Sequence, residues 1–120
     1  MTGITNRLKS TIRYSWPALR INGVKASPRS RVHGSGSIEV GRESVLYAGS
    51  LVWANSETGT IRVGKRCHLL PYSMLISYDG TIRIGDDCSV NPFTILYGGG
   101  LLEIGNNVRI AAHCVLVPFN

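Results

Sequence analysis

From Val40 onward, aliphatic residues return every six positions. They are Val40, Leu46 and Val52, then Val63, Leu69 and Leu75, then Ile84, Val90 and Leu96, and finally Ile104, Ile110 and Leu116. The hexads fall into sets of three. The leading hexad of every set begins aliphatic-Gly, at Val40-Gly41, Val63-Gly64, Ile84-Gly85 and Ile104-Gly105. The fifth position of a hexad is small: Ser44, Ser50, Ser56, Cys67, Ser73, Cys88, Thr94, Val108 and Cys114, with Asp79 and Gly100 departing in third hexads. Successive sets start 23, 21 and 20 residues apart, so each holds three hexads and an insertion of five, three or two residues. The insertions follow the third hexad and end in strand-like segments, TIRV at 60–63, TIRI at 81–84 and LLEI at 101–104.

A period of six does not fit the 3.6-residue helical repeat. It fits a short strand and a corner, with the aliphatic and the small residue pointing to one side at period two. Three such strands close one triangular coil. Stacked coils about 4.8 Å apart hydrogen-bond as parallel strands and pile their aliphatics into one core column. The glycine after each leading aliphatic suits the corner backbone. A coil cannot bury its own face, so the unit of stability is the stack. The expected fold is an all-β parallel β-helix of four to five triangular coils over residues 32–120. The segment 32–41, VHGSGSIEVG, parallels 96–105, LYGGGLLEIG, and carries the pattern back to about residue 26.

Ahead of the repeat, Ile4, Leu8, Ile12 and Trp16 are spaced as one stripe of a helix, with Arg7, Lys9 and Arg13 elsewhere around it and Pro17 at its end. Residues 1–17 are therefore expected as an amphipathic helix capping the open end of the solenoid. The alternative is that 4–16 lies on an anionic membrane surface. Residues 18–31, basic and containing Pro28, are expected as a linker.

Composition sharpens this picture. Hydrophobic residues make up 43% of the 120 residues and charged ones 17%, which is the balance of a folded chain. No apolar run reaches the roughly 18 residues of a membrane span, and the first 30 residues lack a signal-type apolar core. Three cysteines without a CxxC pair argue against a disulfide scaffold or zinc finger and suit the cytoplasm. The net charge of +6 is uneven: residues 1–38 hold seven Lys/Arg and no acid, while 39–120 hold six Lys/Arg and seven Asp/Glu. The arm lacks the aromatic interleaving of nucleic-acid binders, so no nucleic-acid partner is expected.

The candidate chemistry is sparse. Cys67, Cys88 and Cys114 occupy inward small positions and are expected as buried small hydrophobes. His33, His68 and His113 fall on different coils and faces, so no metal site is expected, since zinc needs three or four converging ligands. Glu39, Arg62, Arg83 and Glu103 precede the leading aliphatics and should form an outer ladder whose central arginines offer a site for an anion. Tyr47, Trp53, Leu70 and Phe93 are expected as exposed apolar side chains, forming a subunit interface or packing under the N-terminal helix.

The aliphatic-Gly hexads and the run IGNNVRIAAHCVLVPFN at 104–120 resemble the hexapeptide-repeat acyltransferases, most of all the sugar O-acetyltransferases and xenobiotic acetyltransferases. The resemblance implies a left-handed coil, the hand opposite to the usual one for parallel crossovers. It further implies a trimer with acetyl-CoA as co-substrate between two prisms, and acetyl transfer to a sugar-like hydroxyl. In that family the run leads into an Asn-His pair whose histidine is the general base. Asn120 matches the residue before that base. The chain is accordingly expected to be the N-terminal part of a longer enzyme, with His113 and Asn120 the only weak catalytic candidates within it. The alternatives are a non-catalytic module that self-associates, and a relative of the gamma-class carbonic anhydrases, from which it differs in lacking a second histidine in the last coil.

Overall fold

The computed structural model describes residues 19–20 and 23–118. The expected N-terminal helix and Asn120 lie outside these residues. The described chain is fifteen short strands in five successive triplets. The first triplet is β1 Leu19–Arg20, β2 Lys25–Ala26 and β3 Arg31–Gly34, and the second is β4 Ser37–Val40, β5 Val45–Leu46 and β6 Leu51–Ala54. The third is β7 Thr60–Val63, β8 His68–Leu69 and β9 Met74–Ile76, and the fourth is β10 Thr81–Ile84, β11 Ser89–Val90 and β12 Ile95–Tyr97. The last is β13 Leu101–Ile104, β14 Arg109–Ile110 and β15 Val115–Leu116.

Every third strand pairs in parallel, which gives three five-stranded sheets. Sheet A holds β1, β4, β7, β10 and β13; sheet B holds β2, β5, β8, β11 and β14; sheet C holds β3, β6, β9, β12 and β15. The molecule is thus an all-β parallel solenoid of about four turns with a triangular section, and no helix occurs among the described residues. Two strands come from the segment expected as a linker, because KASPRS at 25–30 stacks beneath VLYAGS at 45–50, with Lys25 beside Val45 and Ala26 beside Leu46. Val24 and Ser30 there are buried as the equivalent small positions are.

The register is the hexad register. Ile38, Ile61, Ile82 and Leu102 stack along sheet A, Ala26, Leu46, Leu69, Val90 and Ile110 along sheet B, and Val32, Val52, Leu75, Leu96 and Leu116 along sheet C. These columns form one continuous core. The small positions do more than fill the narrowing corner. Ser44 Oγ donates to the Gly64 carbonyl (2.9 Å), Cys67 Sγ to Gly85 (3.1 Å) and Cys88 Sγ to Gly105 (3.0 Å), each reaching one turn along the stack. Serine and cysteine interchange here because each is small and carries one donor. At the next corner Thr94 Oγ1 donates to the Ala111 carbonyl (2.7 Å), while the Ser50 and Ser73 hydroxyls, equally buried, have no hydrogen-bond partner.

The role expected for the leading glycines needs correction. Gly41, Gly64 and Gly85 do not carry the left-handed backbone of the corner. That conformation falls two residues later, on Glu43, Arg66, Asp87 and Asn107, with φ between 56° and 65°. The glycines are needed for close approach: a Cβ on Gly41 or Gly64 would stand 2.6 Å from the carbonyl of the glycine one turn along. A second left-handed column runs through Tyr72, Phe93 and His113, with φ of 63°, 63° and 59°. Bulky residues there cost roughly 1 kcal/mol or more each, and ring stacking offsets part of it.

Candidate functional site

The three outer faces differ in chemistry. Sheet A is polar, with Thr60 beside Thr81 and the column Glu39, Arg62, Arg83, Glu103 in register. Arg62 pairs with Glu39 (3.7 Å) and Arg83 with Glu103 (3.5 Å), so each arginine leans to its own carboxylate. These side chains are exposed, and pairs of this kind contribute about 0–1 kcal/mol. Arg62 and Arg83 stand side by side, as the spacing required.

Sheet C is apolar on its outer side beyond its first strand. Arg31, Leu51, Met74, Ile95 and Val115 form one outward column. Trp53, Ile76 and Tyr97 continue a second, with His33 stacked over Trp53 at 5.1 Å between ring centroids. Of the four residues expected as one apolar surface, only Trp53 belongs here. Tyr47 and Leu70 lie on sheet B, and Phe93 sits at the corner between B and C.

Sheet B carries the groove with the richest chemistry. It has a volume of about 620 Å³ and is lined by Lys25, Glu43, Arg66, His68, Asp87 and Arg109 among others. The residues after each leading glycine turn the corner and aim Glu43, Arg66 and Asp87 along one edge. Lys25, His68 and Arg109 are outward positions of β2, β8 and β14. Arg66 grips Asp87 through two bonds, Nε to Oδ1 at 2.7 Å and Nη2 to Oδ2 at 3.0 Å, and lies 3.9 Å from Glu43. That hydrogen bond, with the charge behind it, holds the Asp87 carboxyl below the usual range and raises Arg66. Arg109 donates to the Asp87 carbonyl (2.9 Å), and among the described residues Lys25 has no ion pair. His68 Nδ1 is 3.0 Å from the Tyr47 hydroxyl. Lys25 and Arg109 thus stand at opposite ends of the groove, with the Arg109 charge acting partly on the Asp87 carboxylate.

The groove joins residues that stand apart in the sequence. The signal was there: the sixth position of the leading hexads holds Val45, His68, Ser89 and Arg109, which is the outward column of sheet B. The weak catalytic candidate His113 is elsewhere, at the corner between sheets B and C. It stacks on Phe93 at 5.2 Å and 11°, and Phe93 stacks on Tyr72 at 5.4 Å and 6°. His33, His68 and His113 do not converge, and no group of three metal-ligating side chains occurs among the described residues.

Cys67 and Cys88 are 1% and 2% exposed, and Cys114 is half-buried. Burial pushes the Cys67 thiol up from its ordinary value of 9.0. Its contribution to stability is therefore full below pH 9.0 and is lost as pH rises through the raised value. In a timed reaction with a thiol reagent at pH 8, Cys114 is expected to label first, and Cys67 and Cys88 only on unfolding. Rapid native labelling of all three would contradict the inward register.

No family model matches the chain, and no curated protein matches its sequence.

Proposed function

We propose that this chain is the scaffold of a left-handed β-helix acyltransferase that binds acetyl-CoA and serves acetyl transfer to a sugar-like hydroxyl. The observation that carries this reading is the groove of sheet B. It runs about 19 Å along the stack, the span of five strands. Lys25 stands at one end and Arg109 at the other, which suits the phosphates of an elongated ligand. The hexad repeat and the run at 104–120 support the same lineage.

Acetyl-CoA supplies the activated acetyl group, and the acceptor hydroxyl must lose a proton to a base. Among the described histidines, His68 is the one that lines the groove. In the tautomer whose Nδ1–H donates to the Tyr47 oxygen, Nε2 carries the lone pair a base needs; in the other, Nδ1 accepts from the Tyr47 hydroxyl. His113 stacks on Phe93 in the aromatic column and does not line the groove.

Titration calorimetry with acetyl-CoA tests the reading. Micromolar binding is expected, weakened by salt and by about tenfold in Lys25→Ala or Arg109→Ala. Arg83→Ala, on sheet A, is expected to bind as the parent does. Absence of binding at millimolar acetyl-CoA would overturn the proposal. His68→Gln is expected to retain binding, and transfer to a sugar alcohol that survives this change would place the base elsewhere.

A further inference from the structure

The edge where sheets B and C meet carries a surface that the proposed function leaves unused. The five stretches that form it, 25–33, 45–53, 68–76, 89–97 and 109–117, contain no Asp or Glu. The chain's seven carboxylates all fall on sheet A or in the two corners that border it. An ordinary soluble surface intersperses both signs, whereas this edge is cleared of one sign along all five turns.

Cations and apolar side chains stand there instead. Lys25, Arg29 and Arg31 are exposed on the first turn, and none has an ion pair among the described residues. One turn along, Lys25 meets Val45 and Arg31 meets Leu51, both uncharged. Farther along the stack the edge is apolar. Tyr72, Phe93 and Val115 are 51%, 53% and 60% exposed, with Met74 and Ile95 half-buried beside them. The two rings sit on an unfavourable backbone. Both residues hold φ at 63°, which a bulky residue rarely adopts. Gly49 fills the same position one turn earlier at φ 78°, so glycine is the relaxed solution. Half-exposed rings bury little in return, and strain of this kind collects at functional surfaces.

We infer that this edge docks on an anionic lipid surface. Lys25, Arg29 and Arg31 then lie among the headgroup phosphates, and the ridge of Tyr72 and Phe93 lies at the boundary with the acyl chains. Cations without neighbouring acids are drawn to anionic headgroups, and aromatic rings favour that interface. A nucleic acid fits this edge less well. Unstacked bases need open ring faces, and Tyr72, Phe93 and His113 close theirs on one another at 5.4 Å and 5.2 Å. The ligand groove lies toward the other border of sheet B, where Glu43, Arg66 and Asp87 stand. Lys25 lines both surfaces, so Arg29 and Arg31 are the residues to test.

Co-sedimentation of the full chain with vesicles provides the test. Binding is expected to vesicles of mixed phosphatidylglycerol and phosphatidylcholine, and not to phosphatidylcholine alone. Arg29→Gln with Arg31→Gln should lower partitioning roughly 25-fold, about fivefold for each cation. Tyr72→Asn with Phe93→Asn should lower it several-fold. Asparagine accepts the left-handed backbone, and circular dichroism checks that the strands remain. Arg62→Gln with Arg83→Gln, the same loss of charge on sheet A, should partition as the parent does. No sedimentation with the anionic vesicles would overturn the inference. So would binding that the edge variants retain in full, or that the sheet A pair weakens equally. A dimer in lipid-free sedimentation velocity that the two asparagines dissolve would assign the edge to a second copy and overturn it. Displacement of the vesicles by a single-stranded oligonucleotide would assign it to nucleic acid, with the same consequence.

Discussion

Replacing Gly80 with alanine is expected to destabilise the fold by at least about 3 kcal/mol, the upper part of the range for forced overpacking. Gly80 lies in the corner between sheets C and A. A Cβ there would stand 1.7 Å from the Gly98 carbonyl oxygen and 2.2 Å from that of Gly100. Both neighbours are backbone, so no side chain can swing aside. The turn cannot move as a whole either. Thr81 N–H bonds the Gly100 carbonyl at 2.8 Å, and Thr60 N–H bonds the Gly80 carbonyl at 2.9 Å, so a shift would part the ladder on both sides. Gly99→Ala is the control, since its Cβ would meet nothing within 4 Å. Urea unfolding of the two variants should separate them by several kcal/mol. A Gly80→Ala midpoint equal to the control would mean that adjacent turns are not in contact at this corner.

Leu75→Ala is expected to lose 2–5 kcal/mol, the roughly established range for a buried leucine truncated to alanine. Leu75 is fully buried in the central turn, between Val52 and Leu96 of its column. A rigid stack of backbone limits how far the walls can collapse into the space left behind. In a solenoid the loss also weakens the coupling between the turns on either side. Leu101→Ala, at 54% exposure on sheet A, is expected to change stability by about 0.5 kcal/mol or less. Thermal unfolding followed by circular dichroism measures both. If the two leucines cost the same, the column assignment is wrong.

The site was less legible than the fold, and particular residues show why. Spacing alone places Arg62 and Arg83 side by side, because identical offsets from a leading aliphatic become neighbours once the turns stack. Their leaning to Glu39 and Glu103 was not readable, since it depends on long side chains choosing between neighbours above and below. His68 appeared as an isolated residue closing a hexad. It became part of a groove only when the corner residues Glu43, Arg66 and Asp87 came beside it, which requires the angle between two faces. The apolar face of sheet C was half visible. The spacing points to Trp53 but not to Leu51, Met74 and Ile95, because the sixth hexad position holds Val45, His68, Ser89 and Arg109 on sheet B and is apolar at every hexad on sheet C.

The hexad period dictated three things before any coordinates: parallel stacking, the triangular section, and the identity of the inward residues from Val40 to Leu116. Periodicity is local, and each aliphatic reports its own side of the strand. The pattern reaches back to about residue 26, and the structure alone showed that Leu19, Arg20 and Lys25 ahead of it already pair within the stack. It alone moved the left-handed backbone from the glycines to Glu43, Arg66 and Asp87, and it alone explained the glycines by contact between turns. Those features depend on distances of a few ångströms across the stack, between residues some twenty positions apart, and a one-dimensional pattern carries no such distances.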